Sequence, residues 1–334
     1  MKIVFFEIEG WEKEIIEKHL NSQEIFYTKE PLLPDNAEKY KEFEIVSVFS
    51  HSILNKETLE KLNNLKMIAT RSAGYDHIDV EFCRQKKIAV YRVPDYGANV
   101  IAEHSLALLL AAVKNIPQSI ERTRRGIFNY QGLRGSELKD KTIGVLGTGK
   151  IGKHMIKFCK ALGMKVVAYD AYPDEDFAAK YEFAYVDFEE LLSISDIISI
   201  HVPLLTSTYH LINRGNIHLL KKGVIIINTA RGEIIETEAL IEGLEKNIIA
   251  YVCLDVIEKE RQFAKFLKAL KEGKTVTDDQ NYKTFLLNYY LFTHPKVIVT
   301  PHNAFNTHEA VRRIIEITIE NIKNFLKGDK TNAL

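Results

Sequence analysis

The sequence predicts an α/β protein built on a doubly wound parallel sheet, and three observations predict it. Short runs rich in Val, Ile and Leu alternate with amphipathic stretches along most of the chain, as strands do when helical crossovers join them in parallel. The segment Gly144-Val145-Leu146-Gly147-Thr148-Gly149-Lys150-Ile151-Gly152 stands between one such run and a helix-like stretch, and Asp170 closes the next run. The alternation also stops near residue 99 and restarts at Thr142, which divides the 334 residues into two α/β units.

In the first unit strands are expected at Ile3–Phe6, Glu24–Tyr27, Glu44–Phe49, Met67–Thr70 and Ala89–Tyr91, with helical segments such as Trp11–Leu20 and Lys56–Leu65 between them. Asn99–Asn115 reads as a long helix, apolar nearly all round and therefore buried. Six or seven parallel strands follow, at Thr142–Leu146, Lys165–Tyr169, Phe183–Val186, Ile197–His201, Val224–Asn228, Ile249–Leu254 and Val297–Thr300. Glu309–Lys327 is a final amphipathic helix. The stretch from Glu260 to Pro295 carries no strand signal; Phe263–Leu270 and Tyr282–Phe292 read as amphipathic helices around a polar tip, Lys274–Gln280. A surface excursion and a wall over the active site both stay open for this insert.

Bulk properties exclude several classes. Hydrophobic residues make up 46% and charged residues 27%, the proportions of a globular protein. Lys+Arg and Asp+Glu balance at 45 each, so neither nucleic acid nor a membrane surface is an expected partner. The longest apolar stretch, Leu106–Val113, is far short of a span, and Met1–Phe6 reads as a first strand rather than a signal peptide. Cys83, Cys159 and Cys253 are widely spaced, so no metal site or disulfide framework is expected. Each reads as a small buried hydrophobe in a reducing cytoplasm.

The Gly-rich segment has a specific chemistry. Gly147 permits a tight turn, Gly149 lets backbone N–H groups approach a pyrophosphate, and Gly152 lets the helix pack close to its strand. The helix N-terminus adds partial positive charge. Asp170, 21 positions after Gly149, stands where an acid accepts hydrogen bonds from an adenine ribose. With Ala171-Tyr172 and no Arg beside it, the site favours NAD over NADP.

Three more strand ends carry chemistry: Asn228-Thr229-Ala230-Arg231-Gly232, Asp255 to Glu260, and Pro301-His302-Asn303-Ala304-Phe305. Alone, each has a plain structural explanation: a salt-bridged Arg, a solvated acidic loop, a satisfied His. All three fall at the carboxyl edge of one nucleotide-binding sheet, where open α/β sheets bind ligands, and their joint occurrence there is poorly explained as structure.

These motifs, with His201-Val202-Pro203-Leu204 and Thr70-Arg71-Ser72-Ala73-Gly74-Tyr75-Asp76-His77-Ile78-Asp79 and Val93-Pro94-Asp95-Tyr96 in the first unit, resemble the NAD-dependent D-isomer-specific 2-hydroxyacid dehydrogenases over essentially the whole chain. Arg261 after Glu260, where other branches carry Pro, and the aromatic Phe305 resemble the D-lactate dehydrogenase branch. Asn303, Asn306 and Gly97-Ala98 depart from the usual residues near the pocket. The resemblance implies a Rossmann-type NAD-binding domain over 100–300. It also implies a smaller, discontinuous, flavodoxin-like substrate domain from 1–99 and 301–334, with a cleft that closes to exclude water.

The resemblance further implies that His302 is the general acid/base, Glu260 its hydrogen-bonded partner, and Arg231 the bidentate clamp on the substrate carboxylate. Backbone N–H groups of Ser72, Ala73 and Gly74 and the Tyr96 hydroxyl would hold the carboxylate, with Phe305 lining the methyl side. Gly147, Thr148, Gly149, Lys150, Ile151, Gly152, Asp170, His201, Val202, Pro203, Thr208, Thr229, Ala230, Arg231, Asp255, His302 and Ala304 would bind NAD, and no metal is implied. Glu103 and His104 read as helix residues with structural partners. The expected activity is a cytoplasmic D-lactate dehydrogenase acting on a small 2-oxo or 2-hydroxy acid, homodimeric through 99–135. A reductase for glyoxylate, hydroxypyruvate or a branched 2-oxo acid is the alternative enzyme; an NAD(H)-sensing corepressor-like binding protein is the alternative class.

Overall fold

The computed structural model describes residues 1–273 and 279–334. The chain divides into two compact units, Met1–Gly97 with Asn306–Leu334, and Ala98–Phe305. In chain order the first unit opens with β1 (Lys2–Phe5), α1 (Gly10–His19), β2 (Glu24–Tyr27), β3 (Ile45–Val48), α2 (Lys56–Glu60), β4 (Met67–Thr70), α3 (Val80–Gln85) and β5 (Ala89–Tyr91). The second unit holds α4 (Ala98–Val113), α5 (Ile116–Arg124), β6 (Thr142–Leu146), α6 (Lys150–Ala161), β7 (Lys165–Tyr169), α7 (Glu175–Tyr181), β8 (Ala184–Tyr185), α8 (Phe188–Ile194) and β9 (Ile197–Ile200). It continues with β10 (Val224–Asn228), α9 (Thr237–Glu245), β11 (Ile249–Leu254), α10 (Glu260–Lys271), α11 (Asp279–Thr293) and β12 (Val297–Val299), and α12 (His308–Lys327) returns to the first unit.

The first sheet is parallel in the order β2-β1-β3-β4-β5, the flavodoxin-like winding. Successive side chains of a strand face opposite ways. Val4, Val46 and Ile68 therefore enter one core cluster, while Ile3, Phe5, Ile45 and Met67 enter another with Ile315, Ile319 and Ile322 of α12. Both faces are covered, which is why these strands read as unbroken apolar runs. Thr307 caps α12 by accepting from the Ala310 N–H, and Gly328, at φ +80°, ends it in the left-handed turn.

The second sheet is also parallel, in the order β12-β11-β10-β9-β6-β7-β8. It starts in the middle at β6, winds out through β7 and β8, then reverses to β9 and winds out to β12: a Rossmann-type sheet with a seventh strand. The reversal lies between β6 and β9, whose carboxyl ends carry the Gly-rich turn and His201. Burial pushes the thiols of Cys83, Cys159 and Cys253 up to about 12, and all three are free and buried.

Some expectations need correcting. The helix expected at Asn99–Asn115 is α4; it buries Leu108, Leu109 and Val113 but leaves Leu110 37% exposed, and α5 buries none of its residues. Among the described residues no single helix is long and apolar enough to cross a membrane; the pair α4 and α5, bent by 62°, meets that test by length and composition. The helix expected over Lys56–Leu65 ends at Glu60. The two compact units part at Gly97/Ala98 and Phe305/Asn306. Pro301–Phe305 stays with the second unit because Asp255 holds its backbone, as described below. The insert is not a mere surface excursion: Phe263, Phe266, Phe285 and Leu291 of α10 and α11 join the core beneath β10 and β11, with the Phe263 and Phe285 rings 5.3 Å apart. Of the polar tip, Lys274–Asp278 lie outside the described residues.

Candidate active site

The Gly-rich turn has a distinct reason for each glycine. Gly147 has φ +92°, and a Cβ there would stand 2.8 Å from the His201 and Val202 backbone. A Cβ on Gly152 would stand 2.0 Å from the Gly147 carbonyl oxygen, so a side chain would pry α6 off β6. A Cβ on Gly149 would meet nothing within 4 Å. The backbone at Gly149 therefore borders open space, and no side chain caps the α6 N-terminus that Lys150 and Ile151 begin. That combination suits a pyrophosphate. Asp170 accepts from the Thr148 N–H at 2.6 Å through one oxygen and from the Tyr172 N–H at 2.9 Å through the other, which fixes the turn while leaving acceptor capacity for a ribose. Across the reversal, burial pushes His201 down to about 4, so it is neutral at ordinary pH, with Nε2 2.9 Å from the Ser199 hydroxyl. The Thr208 hydroxyl donates to the Pro203 carbonyl at 2.6 Å, inside its own loop.

The catalytic candidates come from three loops at the same carboxyl edge. After β10, Asn228 accepts from the Ala230 N–H at 3.0 Å and donates to the Arg231 carbonyl at 2.8 Å, which shapes the turn that presents Arg231. Thr229 is buried and bonded to Ser105 of α4 at 2.8 Å. A Cβ on Gly232 would stand 2.0 Å from the Ile257 carbonyl carbon, so this turn touches the segment 255–260 backbone to backbone. After β11, Asp255 is 1% exposed. Burial alone would raise its pKa. Hydrogen bonds with His104 and Thr300 and from the Ala304 and Asn303 N–H groups outweigh that and hold it below the ordinary value. Asp255 thereby pins the loop after β12, and its own carbonyl accepts the His302 N–H at 2.9 Å. His104, expected to be structural, indeed lies 3.0 Å from the Thr300 hydroxyl.

His302 is held at φ +50°, a conformation that L-residues adopt at a cost of about 1–2 kcal/mol. Its Nδ1 lies 3.1 Å from both carboxylate oxygens of Glu260, the first residue of α10. Lys259, at φ +52°, sets the angle at which Glu260 enters the helix. Facing a carboxylate, Nδ1 is the nitrogen placed to donate, which directs the ring's other nitrogen, Nε2, away from Glu260. Both side chains stay about two-fifths exposed, at 37% and 41%. Phe305 is half-buried at the end of the same loop, and Ala304 is buried.

Ser72, Ala73, Gly74 and Tyr96 belong to the first unit. Arg71, 2% exposed, donates to the Phe6 and Glu7 carbonyls at 2.7 and 2.9 Å and anchors the turn. The carbonyls of Ser72, Ala73 and Gly74 accept from the Val93 N–H, Arg92 and the Ser72 hydroxyl. Each of these carbonyls thus faces a donor within the unit. Arg313 of α12 donates to the Tyr96 carbonyl at 2.5 Å.

Sequence reasoning missed a second His–Glu pair. His210 Nε2 lies 2.8 Å from Glu258, whose other oxygen accepts from the Thr237 N–H and hydroxyl at 3.1 and 2.6 Å. Forty-eight positions separate the partners, and no local motif marks either.

Residues 106–304 match the model of the D-isomer specific 2-hydroxyacid dehydrogenase NAD binding domain. The D-lactate dehydrogenase of Escherichia coli (strain K12) is 36% identical over 290 residues, 86% of this chain and 84% of its own length. The aromatic 2-oxoacid reductase of Clostridium sporogenes (strain ATCC 15579) is also 36% identical, over 90% of this chain and 88% of its own. The structure of Aquifex aeolicus D-lactate dehydrogenase complexed with NAD and lactic acid superposes with a TM-score of 0.87 at 34% identity, covering 99% of this chain and 98% of that one. The chain therefore belongs to the D-isomer specific 2-hydroxyacid dehydrogenases, oxidoreductases that use NAD, and carries that family's NAD-binding domain.

Proposed function

We propose that this enzyme is a D-lactate dehydrogenase, interconverting pyruvate and D-lactate. The observation that carries the reading is the part-exposed His302–Glu260 pair, 3.1 Å apart, with Glu260 directly following a segment in backbone contact with the turn bearing Arg231. Bound NADH supplies the hydride. His302 gives its Nε2 proton to the carbonyl oxygen as the carbon is reduced, and takes it back in the reverse direction. Glu260 stabilises the charged imidazole and fixes its tautomer. Arg231 binds the substrate carboxylate through its planar fork. Backbone N–H groups at Ser72–Gly74 and the Tyr96 hydroxyl are assigned to the same carboxylate, and the domain that bears them to substrate binding. Asp255 serves the cofactor site by holding Ala304 and His302 in place.

Two bulky residues assigned to the pocket, Tyr96 and Phe305, favour a short side chain on the substrate. The equal likeness to an aromatic 2-oxoacid reductase favours, as the second reading, a larger 2-oxo acid. Assays with NADH and pyruvate, glyoxylate, hydroxypyruvate, phenylpyruvate and a branched 2-oxo acid decide between them. The expected outcome is the highest kcat/KM for pyruvate and D-lactate as the product by chiral analysis. A higher kcat/KM for phenylpyruvate removes the lactate assignment and leaves the family.

The reading includes a cytoplasmic homodimer joined through 99–135. Its support is apolar exposure along α5 and the segment after it: Ile116 and Ile120 at 45%, Phe128 at 94% and Tyr130 at 88%.

A further inference from the structure

We infer that Asn288, in the insert, is a positioning residue for Glu260; the inference rests on the catalytic role proposed for that residue. Asn288 is 1% exposed in α11, a helix whose Tyr282, Leu286, Tyr289 and Phe292 are well exposed. A polar side chain in the helix's buried face costs stability unless it is used. Here its Nδ2 donates to the Glu258 carbonyl at 2.8 Å, two residues before Glu260. Its Oδ1 is buried with no hydrogen-bond partner among the described residues. Asn288 also lines a cavity of about 10 Å³, about what one water centre requires. Asn228, Gly232, Thr237 and Glu258 also line the cavity. It thus lies between the turn that shapes Arg231 and the strap that carries Glu260.

The strap is held from several sides. His210 and Thr237 bind the Glu258 side chain, and Glu233 accepts from the Lys259 N–H at 3.2 Å. Asn288 is the clamp on the Glu258 carbonyl, and it belongs to the insert. Lys259 sits in the left-handed region, so the direction of Glu260 depends on the peptide before it being fixed. Small rotations there move the carboxylate away from His302 Nδ1. The insert is then a brace for the acid/base pair, built from Phe263, Phe266 and Phe285 packing in the core and from one buried amide at the strap.

The test measures kcat for 2-oxo acid reduction against pH in Glu260→Gln, Asn288→Ala, Asn288→Ser, their doubles with Glu260→Gln, and Leu291→Ala as a packing control in α11. Reduction draws its proton from His302, so the alkaline limb of the kcat profile reports on the Glu260–His302 contact, and losing the carboxylate is expected to move it. Asn288→Ala is expected to move the limb in the same direction and to lower kcat about tenfold, within what a sub-ångström misplacement costs. The NADH dissociation constant should change less than twofold. Asn288→Ser, which keeps a donor that a cavity water can extend, should recover part of the shift. In the Glu260→Gln background neither substitution should move the limb further. If Glu260→Gln leaves the limb in place, the role of Glu260 fails. If Glu260→Gln moves it but both Asn288 variants behave like Leu291→Ala, with lower Tm and an unmoved limb, the inference about Asn288 is overturned. Should Asn288→Ala not fold, the Asn288→Ser profile decides by the same criterion.

Discussion

Glu258 and Glu260 stand two positions apart on one strap, and each faces a histidine, but the fold treats the two carboxylates differently. Glu258 is 9% exposed, and both of its oxygens accept bonds from the surrounding protein: His210 on one, the Thr237 N–H and hydroxyl on the other. Glu260 is 41% exposed and spends both oxygens on His302. In the first pair the histidine is one of several groups satisfying a buried charge, and the result is a clamp on the N-terminus of α9. In the second the carboxylate faces the histidine with both oxygens, at Nδ1 alone. Residue types and spacing do not separate these roles. What separates them is how much of each carboxylate's acceptor capacity the fold consumes.

Substituting the two histidines is the most direct way to break this comparison. His302→Ala should lower kcat by at least ~100-fold, the low end of what a positioned acid/base supplies. His210→Ala should leave kcat within a few fold of the parent. It should lower unfolding free energy by about 1–2 kcal/mol, because a buried carboxylate loses one of its donors. Steady-state kinetics with urea unfolding on the same preparations check both. A large kcat loss in His210→Ala at unchanged stability would erase the distinction.

A third pair extends the comparison to the first unit. Glu7 is 8% exposed, and its carboxylate accepts from His51, Ser52 and the N–H groups of Phe49 and His51. Burial by itself would raise its pKa; these hydrogen bonds outweigh it and hold Glu7 at about 2 instead of 4.5. The sign follows. The folded state binds the proton more weakly than the unfolded chain does, so Glu7 stabilises fully above about 4.5 and loses that contribution as pH falls toward 2. The shift corresponds to about 3 kcal/mol. The stability difference between parent and Glu7→Gln, followed by urea unfolding, should therefore shrink as pH falls from 5 to 2. A difference that stays flat with pH would show that the clamp does not act through the charge.

Much of this was legible in the sequence, and the pattern of success has a physical cause. Strands Met67–Thr70, Thr142–Leu146, Val224–Asn228 and Ile249–Leu254 fall where apolar runs and turn residues put them, because strands covered on both faces leave a local signature, while Glu24–Tyr27 and Lys165–Tyr169, partly exposed, were legible from their β-branched and aromatic residues. The Gly-rich turn was legible because each glycine answers a backbone demand. The start of α10 was not: it begins at Glu260, not Phe263, since Lys259 takes a left-handed conformation that no cap residue announces. The Glu258–His210 pair and Asn288 were not legible either. Burial of a single polar residue is decided by distant packing, and in sequence Asn288 is one polar position on an amphipathic helix.

Asp170 lies between the two kinds of carboxylate, and the effect of changing it should be the smallest and the most informative. One oxygen takes the Thr148 N–H and hydroxyl, the other the Tyr172 N–H, yet the side chain is only half-buried. A carboxylate has about four acceptor sites. Three are thus in use, and roughly one is left for a ribose hydroxyl, while the charge still repels a 2′-phosphate. Asp170→Ala removes both functions, so it should narrow the preference for NADH over NADPH and also weaken NADH itself, because the Thr148 turn loses its anchor. Asp170→Asn separates the two. Its amide oxygen can keep the Thr148 N–H while the charge is gone, so NADPH should gain relative to NADH with a smaller loss of NADH affinity than in Asp170→Ala. Fluorescence titrations with both nucleotides measure this directly. If Asp170→Asn weakens NADH as much as Asp170→Ala does, the charge and not the turn is what holds the ribose. If neither variant changes the ratio of the two affinities, Asp170 belongs with Glu258 as a structural clamp.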